Sequence, residues 1–290
     1  MIRRMYQISL TIILVFLFCF GVGAGRKKEV YKEVDLKDEK SLVVKIEFGA
    51  GELNLRRTSS KKIVEAEVSY DPGFSDFFFD YDKSKDKGEL FIGTELEEEK
   101  GVNLGDMDEK NWWDISFTDR IPIDFEIDVG AAEAELDFTG LKITDLDLDI
   151  GAAKAWIQFR KPNPERISRM RIDAGACKLE IEGLGNANFK RMDFDAGVGD
   201  FTLDFSGDLK HSAVVDIEMG LGHLAILVPE DIGVRIQSNG SILSSISFDK
   251  GVFEEVEDDV WINDEYGKTD AELNFKIEVG LGAVDIEMID

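Results

Sequence analysis

Five acidic residues recur at one position of a repeated phrase, and clustered carboxylates are ligands that Ca²⁺ prefers. Each lies two residues before a glycine: Asp128, Asp149, Asp173, Asp195 and Glu218. If the repeats stack as neighbouring strands, successive carboxylates lie about 4.8 Å apart, and like charges that close repel. Either a ladder of Ca²⁺ ions or a solvated face with local ion pairs would relieve this repulsion. Because Arg169 and Arg171 interrupt the adjacent acidic positions, we expect the solvated face and no bound metal.

Other groups that could carry catalysis are few and scattered. His211 and His223 are the two histidines, and the sequence holds no His/Cys cluster with the spacing of a zinc site. No nucleophile elbow marks an activated serine. The acids are spread so evenly that they single out no acid–base pair for glycoside hydrolysis. We therefore expect a protein without catalytic residues or cofactors, and a carbohydrate-active β-helix enzyme is the alternative.

Trp156 is the side chain best suited to binding a ligand. Alternation along its strand turns Ala155 and Ile157 inward, so Trp156 points outward between Glu135 and Glu180 of the neighbouring repeats. An outward tryptophan on a flat β-face can stack against a sugar or anchor a partner protein. It can equally lie beneath a loop from a neighbouring repeat.

Three further features have simpler interpretations. His223 follows Asp200 by one repeat in the same column, so we expect a surface pair. Cys177 occupies a slot that Ala or Gly takes in other repeats, which indicates a small buried apolar group without a disulfide partner. The three rings of Phe77–Phe79 are too many for one buried face, which indicates either a partner patch or contact with the repeats.

A repeated phrase positions these residues. In each copy an apolar–acid–apolar triplet runs into a glycine and a small residue, and five of the glycines follow one another at intervals of 21, 24, 22 and 23 residues. A fixed period in the twenties is typical of repeat architectures. We expect the glycines to form corners, where φ > 0 or close backbone approach excludes a Cβ. The predicted corners are Gly49, Gly130, Gly151, Gly175, Gly197, Gly220 and Gly280.

The fold class that this pattern predicts is all-β. Alternation before and after each glycine indicates short strands, and a coil of about 22 residues accommodates them in a β-solenoid, or β-helix-like stack, with Gly-small corners. Two packed sheets of antiparallel strands are the alternative, since periodicity does not distinguish the two. Residues 25–122 are expected to form an N-terminal β region with a hairpin and an acidic loop. Residues 123–248 form the five-fold array, and residues 249–290 an insertion followed by a C-terminal capping repeat.

Composition and the amino terminus bear on location. Of the 290 residues 43% are hydrophobic, and the formal net charge is −26, which argues against nucleic acid as a partner. Arg3 and Arg4 precede an apolar run from Ile8 to Phe20. This pattern predicts a signal peptide over residues 1–24, cleaved after Ala24, or alternatively a short uncleaved anchor. We expect an exported protein, periplasmic or at the cell surface, that contacts the membrane only through residues 1–24 if they are retained.

Several motifs resemble a known family. Asn111-Trp112-Trp113-Asp114-Ile115, the Gly-Ala-Ala and Gly-Val-Gly phrases, and Trp261-Ile262-Asn263-Asp264-Glu265-Tyr266-Gly267 are similar to motifs of the toast-rack family. That family is similar in turn to the outer β-domain of cell-wall-active antibiotic response proteins and to adhesin-like proteins. The resemblance spans roughly Val30 to Asp290. It implies an envelope-associated all-β domain without known catalysis.

Together these features predict an exported, non-enzymatic β-repeat scaffold or binding module of the bacterial cell envelope. The expected partner is an envelope protein or a glycan. A regulator of an envelope-stress signalling system and a carbohydrate-active enzyme are the alternatives.

Overall fold

The computed structural model describes residues 27–73, 75–96, 111–240, 244–248 and 251–289. The expected signal peptide and most of the expected acidic loop lie outside these ranges. One four-residue helix, α1 (Leu184–Ala187), occurs among the described residues, which are otherwise dominated by strands. The strands are β1 (Lys28–Asp35), β2 (Ser41–Arg57), β3 (Lys62–Tyr70), β4 (Ser75–Ser84), β5 (Lys87–Leu96), β6 (Trp112–Phe117), β7 (Ile123–Asp137), β8 (Ile143–Ile150), β9 (Lys154–Gln158), β10 (Met170–Glu182), β11 (Arg191–Asp204), β12 (Ala213–Pro229), β13 (Gly233–Gly240), β14 (Ser244–Phe248), β15 (Phe253–Glu257), β16 (Val260–Asn263) and β17 (Glu272–Ile289).

The strands join in one large mixed sheet, so the all-β prediction is confirmed. Within the repeats the pairing is parallel and in register. Strand β2 pairs with β7, β7 with β8 and β9, these two with β10, and then β11, β12 and β17 follow. Equivalent positions of successive repeats therefore lie side by side. The alternative of antiparallel strands applies only outside the repeats, where β3 pairs with β1 and β6, β4 with β5, and β16 with β13 and β15.

Side-chain parity along each strand builds the core. In β7 the apolar side chains of Ile127 and Val129 are buried, while Asp128 between them is partly exposed. Strand geometry forces this alternation, since successive side chains point to opposite faces. The twenty core positions that parity predicts in the five repeats are all buried. They are Ile127, Val129, Leu148, Ile150, Ile172, Ala174, Phe194, Ala196, Ile217 and Met219 before the corners, and Ala134, Leu136, Ala155, Ile157, Leu179, Ile181, Phe201, Leu203, Leu224 and Ile226 after them.

The chain segments on the two sides of a corner pack against each other. Phe194 precedes the Gly197 corner and Phe201 follows it, yet their ring centroids lie 5.7 Å apart in an edge-to-face contact. Phe138 follows β7 and Phe159 follows β9, and their rings stack with centroids 5.4 Å apart. Because edge-to-face and offset aromatic pairs add about 0.5–1.5 kcal/mol beyond their area, these contacts fix how the two faces close on the core.

Two buried asparagines hold the chain where it leaves the ladder. The amide oxygen of Asn163 accepts a hydrogen bond from the backbone N–H of Ile143 at 3.0 Å, and its amide nitrogen donates to the carbonyl of Ile143 at 2.8 Å. Asn263 makes the same pair of bonds with Val234 N–H and Ile232 C=O, both at 2.8 Å. A buried backbone group without a partner would cost about 1–3 kcal/mol, so both side chains are structural.

The carboxyl-terminal strand takes a place that sequence order does not predict. Strand β17 pairs with β12 on one side and with β13 and β14 on the other. The repeat that carries Gly280 is therefore inserted between two segments that are consecutive in the chain. Strand β13 lies farther out, and the hairpin of β15 and β16 covers it through antiparallel pairing between β13 and β16.

The predicted corner glycines are explained by close approach and not by left-handed backbone. None of the seven has a positive φ. A Cβ at Gly197 would lie 2.6 Å from the carbonyl oxygen of Gly175, and a Cβ at Gly220 would lie 2.7 Å from that of Gly197. Each corner glycine from Gly130 onward therefore packs against the backbone carbonyl oxygen of the preceding corner glycine. At Gly49 the nearest atom to an added Cβ would be Thr94 Oγ1, at 3.8 Å. Positive φ occurs instead at the second glycine of three corners, Gly51, Gly222 and Gly282.

This contact makes a matched pair of substitutions informative. Gly197→Ala is expected to destabilise the fold by about 1–3 kcal/mol, because the added methyl group collides with a backbone oxygen that the stack holds in place. Gly49→Ala is the control, since its methyl group meets nothing closer than 3.8 Å. Urea unfolding followed by circular dichroism measures both. An equal loss of stability at the two positions would contradict the contact as the cause.

Candidate functional site

The five predicted acidic residues form one column, which extends in both directions. The register pairs Asp128 with Asp149, Asp149 with Asp173, Asp173 with Asp195 and Asp195 with Glu218. Glu47 continues the column beside Asp128, and Glu278 continues it beside Glu218. We call these seven residues the acid column. Adjacent strands lie about 4.8 Å apart, so the column carries like charges at nearly contact spacing.

Basic residues of the neighbouring column neutralise part of this charge. Lys45 lies 3.2 Å from Glu47, Arg171 lies 2.7 Å from Asp173, and Lys276 lies 3.1 Å from Glu278. Within the described ranges no ion pair reaches the remaining four members, which are Asp128, Asp149, Asp195 and Glu218. The three ion pairs of Lys45, Arg171 and Lys276 are exposed, and exposed ion pairs stabilise a fold by only about 0–1 kcal/mol each. Local pairing of the kind expected from Arg171 is present, but it is incomplete.

The incomplete neutralisation shows in the pKa values of two members. Partial burial raises the pKa of Asp128, and the carboxylates of Asp149, Glu126 and Glu47 raise it further against the opposing effect of Lys45. Partial burial also raises the pKa of Asp195, with Asp173 as the next cause. The described residues contain no group of three or more His, Cys, Asp or Glu side chains placed to hold a metal ion.

An exposed apolar strip runs along the corners next to the acid column. Val198, Leu221 and Leu281 each follow a corner glycine, and the register places them side by side on β11, β12 and β17. Their exposed fractions are 51%, 42% and 45%. Stacked exposed side chains of this size are unusual on a soluble surface and mark contact sites. We call these three residues the apolar strip. The sequence carries a signal for the apolar strip, because the residue after these three corner glycines is large and apolar, whereas it is alanine after Gly130, Gly151 and Gly175.

His223 lies between two carboxylates on the other side of the strip. Its Nδ1 is 3.2 Å from Asp200, as the column position predicted, and its Nε2 is 2.8 Å from Asp285 of β17. Hydrogen bonds that the ring nitrogens donate to the carboxylates of Asp285 and Asp200 raise the pKa of the imidazole above its ordinary value. The second carboxylate was not predicted, because it depends on the insertion of β17 beside β12.

Trp156 lies where parity predicted. It pairs in register with Glu135 on β7 and with Glu180 on β10, and its side chain is half-buried on the outer face of the sheet. It lines a groove of about 610 Å³ that also contains Asn54, Gln158 and Arg160. The groove brings together residues from β2, β6, β7 and β9 with Arg160 from the segment after β9, and Trp156 is the tryptophan in its lining.

Two other sequence interpretations are resolved by the packing. Cys177 is buried, and burial raises the pKa of its thiol to about 11, so it is an unreactive core group. Phe77 packs edge-to-face on Trp113 at 5.5 Å, and Phe78 contacts Phe91 across the hairpin at 4.6 Å. The rings of Phe77 and Phe78 therefore contact other parts of the amino-terminal β region, and neither of these two contacts is with the five-fold array.

The His223 pair predicts a pH dependence of stability. A histidine whose pKa is raised in the folded state stabilises the fold fully below its unfolded pKa of 6.5, and this contribution is lost as pH rises through the folded pKa. We expect the melting temperature to fall as pH rises upward from about 6.5. His223→Gln should flatten that slope, whereas His211→Gln should preserve it. A slope unchanged by His223→Gln would contradict the pair as its source.

The acid column predicts a response to salt. Raising NaCl from 0.01 to 0.1 M shortens the Debye length from about 30 to about 10 Å, so the melting temperature should rise, and CaCl₂ at matched ionic strength should add little. Asp149→Asn should stabilise the protein at low salt, because Asp149 forms no ion pair with any other residue that the structure describes. Asp173→Asn is the matched control and should not stabilise, because it leaves Arg171 without its partner. A large rise specific to sub-millimolar Ca²⁺ and lost in Asp149→Asn would instead establish a metal ladder.

Within the described residues no helix is both long and apolar enough to span a bilayer. No curated protein matches the sequence. Three solved structures to which the chain is similar are described as a "putative cell adhesion protein" from Clostridium sporogenes ATCC 15579, a "putative adhesin" from Bacteroides fragilis NCTC 9343 and a "putative lipid binding protein" from Parabacteroides distasonis ATCC 8503. In that order, their sequences are 20%, 12% and 9% identical to this one. The alignments cover 91%, 92% and 92% of this chain, and 100%, 100% and 98% of the three other chains. The TM-scores are 0.49, 0.42 and 0.28, too low to carry a conclusion about function.

The family comparison is decisive by contrast. The family described as "N-terminal domain of toast_rack, DUF2154" matches residues 23–182 and 163–227, which together are well over half of the chain. The matched residues include the Trp-Trp-Asp motif of β6 and four of the corner glycines between Gly130 and Gly197. The chain belongs to the toast-rack family.

Proposed function

We propose that this protein is an exported, non-enzymatic binding module of the bacterial cell envelope, built as a β-solenoid. Three observations support the solenoid. The repeats pair in parallel and in register, most repeats run as one long strand through the corner glycine, and side chains before and after that glycine are buried together. The toast-rack resemblance supports the envelope, and the basic and apolar amino terminus supports export.

The observation that carries the binding role is the apolar strip. Because side chains alternate between the two faces of a strand, every second residue of the repeats faces solvent, and these positions are mostly charged. Val198, Leu221 and Leu281 depart from that rule together and side by side. Three exposed hydrophobic side chains in register offer a continuous apolar contact about 10 Å long across three strands. A partner that covered them would remove this surface from water, which is favourable by about 25 cal/mol per Å².

The charge beside the strip sets the chemistry of that partner. Asp195 and Glu218 of the acid column lie next to the strip without ion pairs, and with Glu278 they line a groove of about 790 Å³. Such a surface attracts a segment that combines cationic and apolar groups, and it repels anionic polymers. A second copy of this chain, with a net charge of −26, fits poorly.

Co-sedimentation with native envelopes tests the proposal. The full chain should sediment with isolated envelopes, and the double variant Leu221→Lys/Leu281→Lys should bind at least about tenfold more weakly, since hot-spot residues at an interface each contribute more than about 1 kcal/mol. Val214→Lys is the matched control, because Val214 is also exposed, at 39%, but lies outside the strip. Circular dichroism confirms that each variant is folded.

Three results would overturn the proposal. The wild-type chain could fail to sediment, the double variant could bind as well as wild type, or the purified protein could release soluble saccharides from sacculi. The last result would favour the carbohydrate-active enzyme. Fractionation of cells that express the full chain checks export, and retention in the cytoplasm would contradict it.

A further inference from the structure

Two of the four tryptophans of the chain lie on the outward face of the parallel strands. Trp113 is fully buried, and Trp261 packs on Phe248 at 5.3 Å. Trp112 is half-buried on the outward face of β6, in register with Glu52 of β2 and Ser69 of β3. Trp156 is the one of the two that lies in a row of polar side chains and lines the groove of about 610 Å³. Packing of the core therefore gives no account of why a tryptophan stands there.

The row that contains Trp156 runs across four strands. In register from β2 to β10 it reads Asn54, Glu135, Trp156 and Glu180. Three gaps of about 4.8 Å give the row a length of roughly 14 Å. Gln158 and Asp137 lie one pleat farther along the same strands and face the same way. The tryptophan is thus flanked on one face of the sheet by amide groups, which donate and accept hydrogen bonds, and by carboxylate groups, which accept them.

The cationic groups of the groove are already engaged. Arg56 forms an ion pair with Asp114, and Arg160 lies 3.3 Å from Asp137. The carboxylates of Glu135 and Glu180 have no ion pair within the described ranges. The local charge is therefore negative, as is the charge of the whole chain. A phosphate- or uronate-bearing ligand would meet repulsion here, which excludes nucleotides and anionic polysaccharides as natural occupants.

We propose that this groove binds an uncharged pyranose oligosaccharide, with Trp156 as the stacking platform. A pyranose ring presents one face of C–H groups and a rim of hydroxyl groups. The indole face of Trp156 can pack against the C–H face of the sugar, and the surrounding amide and carboxylate groups can form hydrogen bonds with its hydroxyl groups. The lining of the groove of about 610 Å³ comes from four adjacent strands, β6, β2, β7 and β9, which suits a segment of a chain more than an isolated sugar. Asn54, Glu135 and Gln158 of that lining supply polar contacts, and Glu180 lies in register beside Trp156 on the strand beyond the lining.

The inference rests on the proposed function, because it takes the protein to be a binding module of the envelope. It uses another surface, however. The apolar strip follows the corner glycines, whereas Trp156 lies five residues beyond Gly151 on the second strand of its repeat. Changes at one surface leave the other intact, so the two proposals can fail separately.

Calorimetric titration of the full chain tests the site with three tetrasaccharides. An N-acetylglucosamine tetramer represents the glycan of the bacterial wall, cellotetraose represents a plain hexose chain, and tetragalacturonate is the anionic control. We expect saturable binding of at least one uncharged tetramer and none of the anionic one. Preference between the two uncharged tetramers distinguishes a wall glycan from another hexose polymer as the source.

Substitutions at and near Trp156 give the matched comparison. Trp156→Ala should weaken binding at least about tenfold, and Trp156→Phe should weaken it less, because a smaller ring still stacks. Thr202→Ala is the control, since Thr202 continues the same row one strand beyond Glu180. Ligand should also change tryptophan fluorescence in the wild type and not in Trp156→Phe, which a merely structural role of Trp156 would not produce.

The outcomes separate the two proposals. No saturable binding of either uncharged tetramer, equal binding by Trp156→Ala, or equal binding of tetragalacturonate would overturn the inference. If the wild-type chain still sediments with envelopes, the proposed function stands and only the glycan site falls. If binding of an uncharged tetramer is lost in Trp156→Ala but the strip variant sediments normally, the glycan site stands without the strip.

Discussion

The contact between a corner glycine and the carbonyl of the preceding corner is the constraint on which the structure depends. The contact repeats from Gly130 to Gly280. A Cβ atom would lie 2.6 Å from the facing carbonyl oxygen at Gly197 and 2.7 Å from it at Gly220, which is too close for any residue other than glycine unless the backbone shifts. A slip of one residue would place a side chain at this point and would turn every core residue outward. The glycines therefore fix the register, and the register fixes which side chains share a column.

Stacking in register has an electrostatic consequence that the sequence cannot avoid. A position that is acidic in one repeat lies beside the same position in the next, so the polar faces become columns of like charge. The protein offsets this at intervals, with Lys45, Arg171 and Lys276 each set two residues before a member of the acid column. Where no such residue occurs, burial and neighbouring carboxylates hold the pKa values of Asp128 and Asp195 above the ordinary range.

Parallel stacks also leave open edges, which invite pairing with other chains. At each end of the stack a hairpin covers part of the edge. Strand β5 pairs in parallel with β2 and carries β4 antiparallel on its outer side, and β16 pairs antiparallel with β13 and carries β15. The hairpins therefore occupy backbone groups of β2 and β13 that a second molecule could otherwise pair with.

Period and parity made the strands, the core and the neighbours of Trp156 predictable, because each depends on residues at fixed spacing. The order of the strands in the sheet was not predictable from the spacing of the repeats alone. The phrase Gly220-Leu221-Gly222 matches Gly280-Leu281-Gly282 residue by residue, and both second glycines have positive φ, 146° and 152°. Strand β17 therefore fits against β12 better than β13 does, although β13 comes next in the chain. The double pairing of His223 and the third member of the apolar strip follow from that insertion.

The same constraint indicates where function can reside in such a protein. Inward positions are taken by the core and corner positions by glycine, so neither can vary without a loss of stability. Outward positions face solvent and are free to vary, and most of them carry charge. Trp156 and Leu221 break that rule on different faces, and each exposes apolar surface that a soluble scaffold has no structural reason to keep. A stack of this kind can therefore acquire a new ligand by changing a few outward residues in adjacent repeats, while the glycine column and the core hold those residues at fixed spacing.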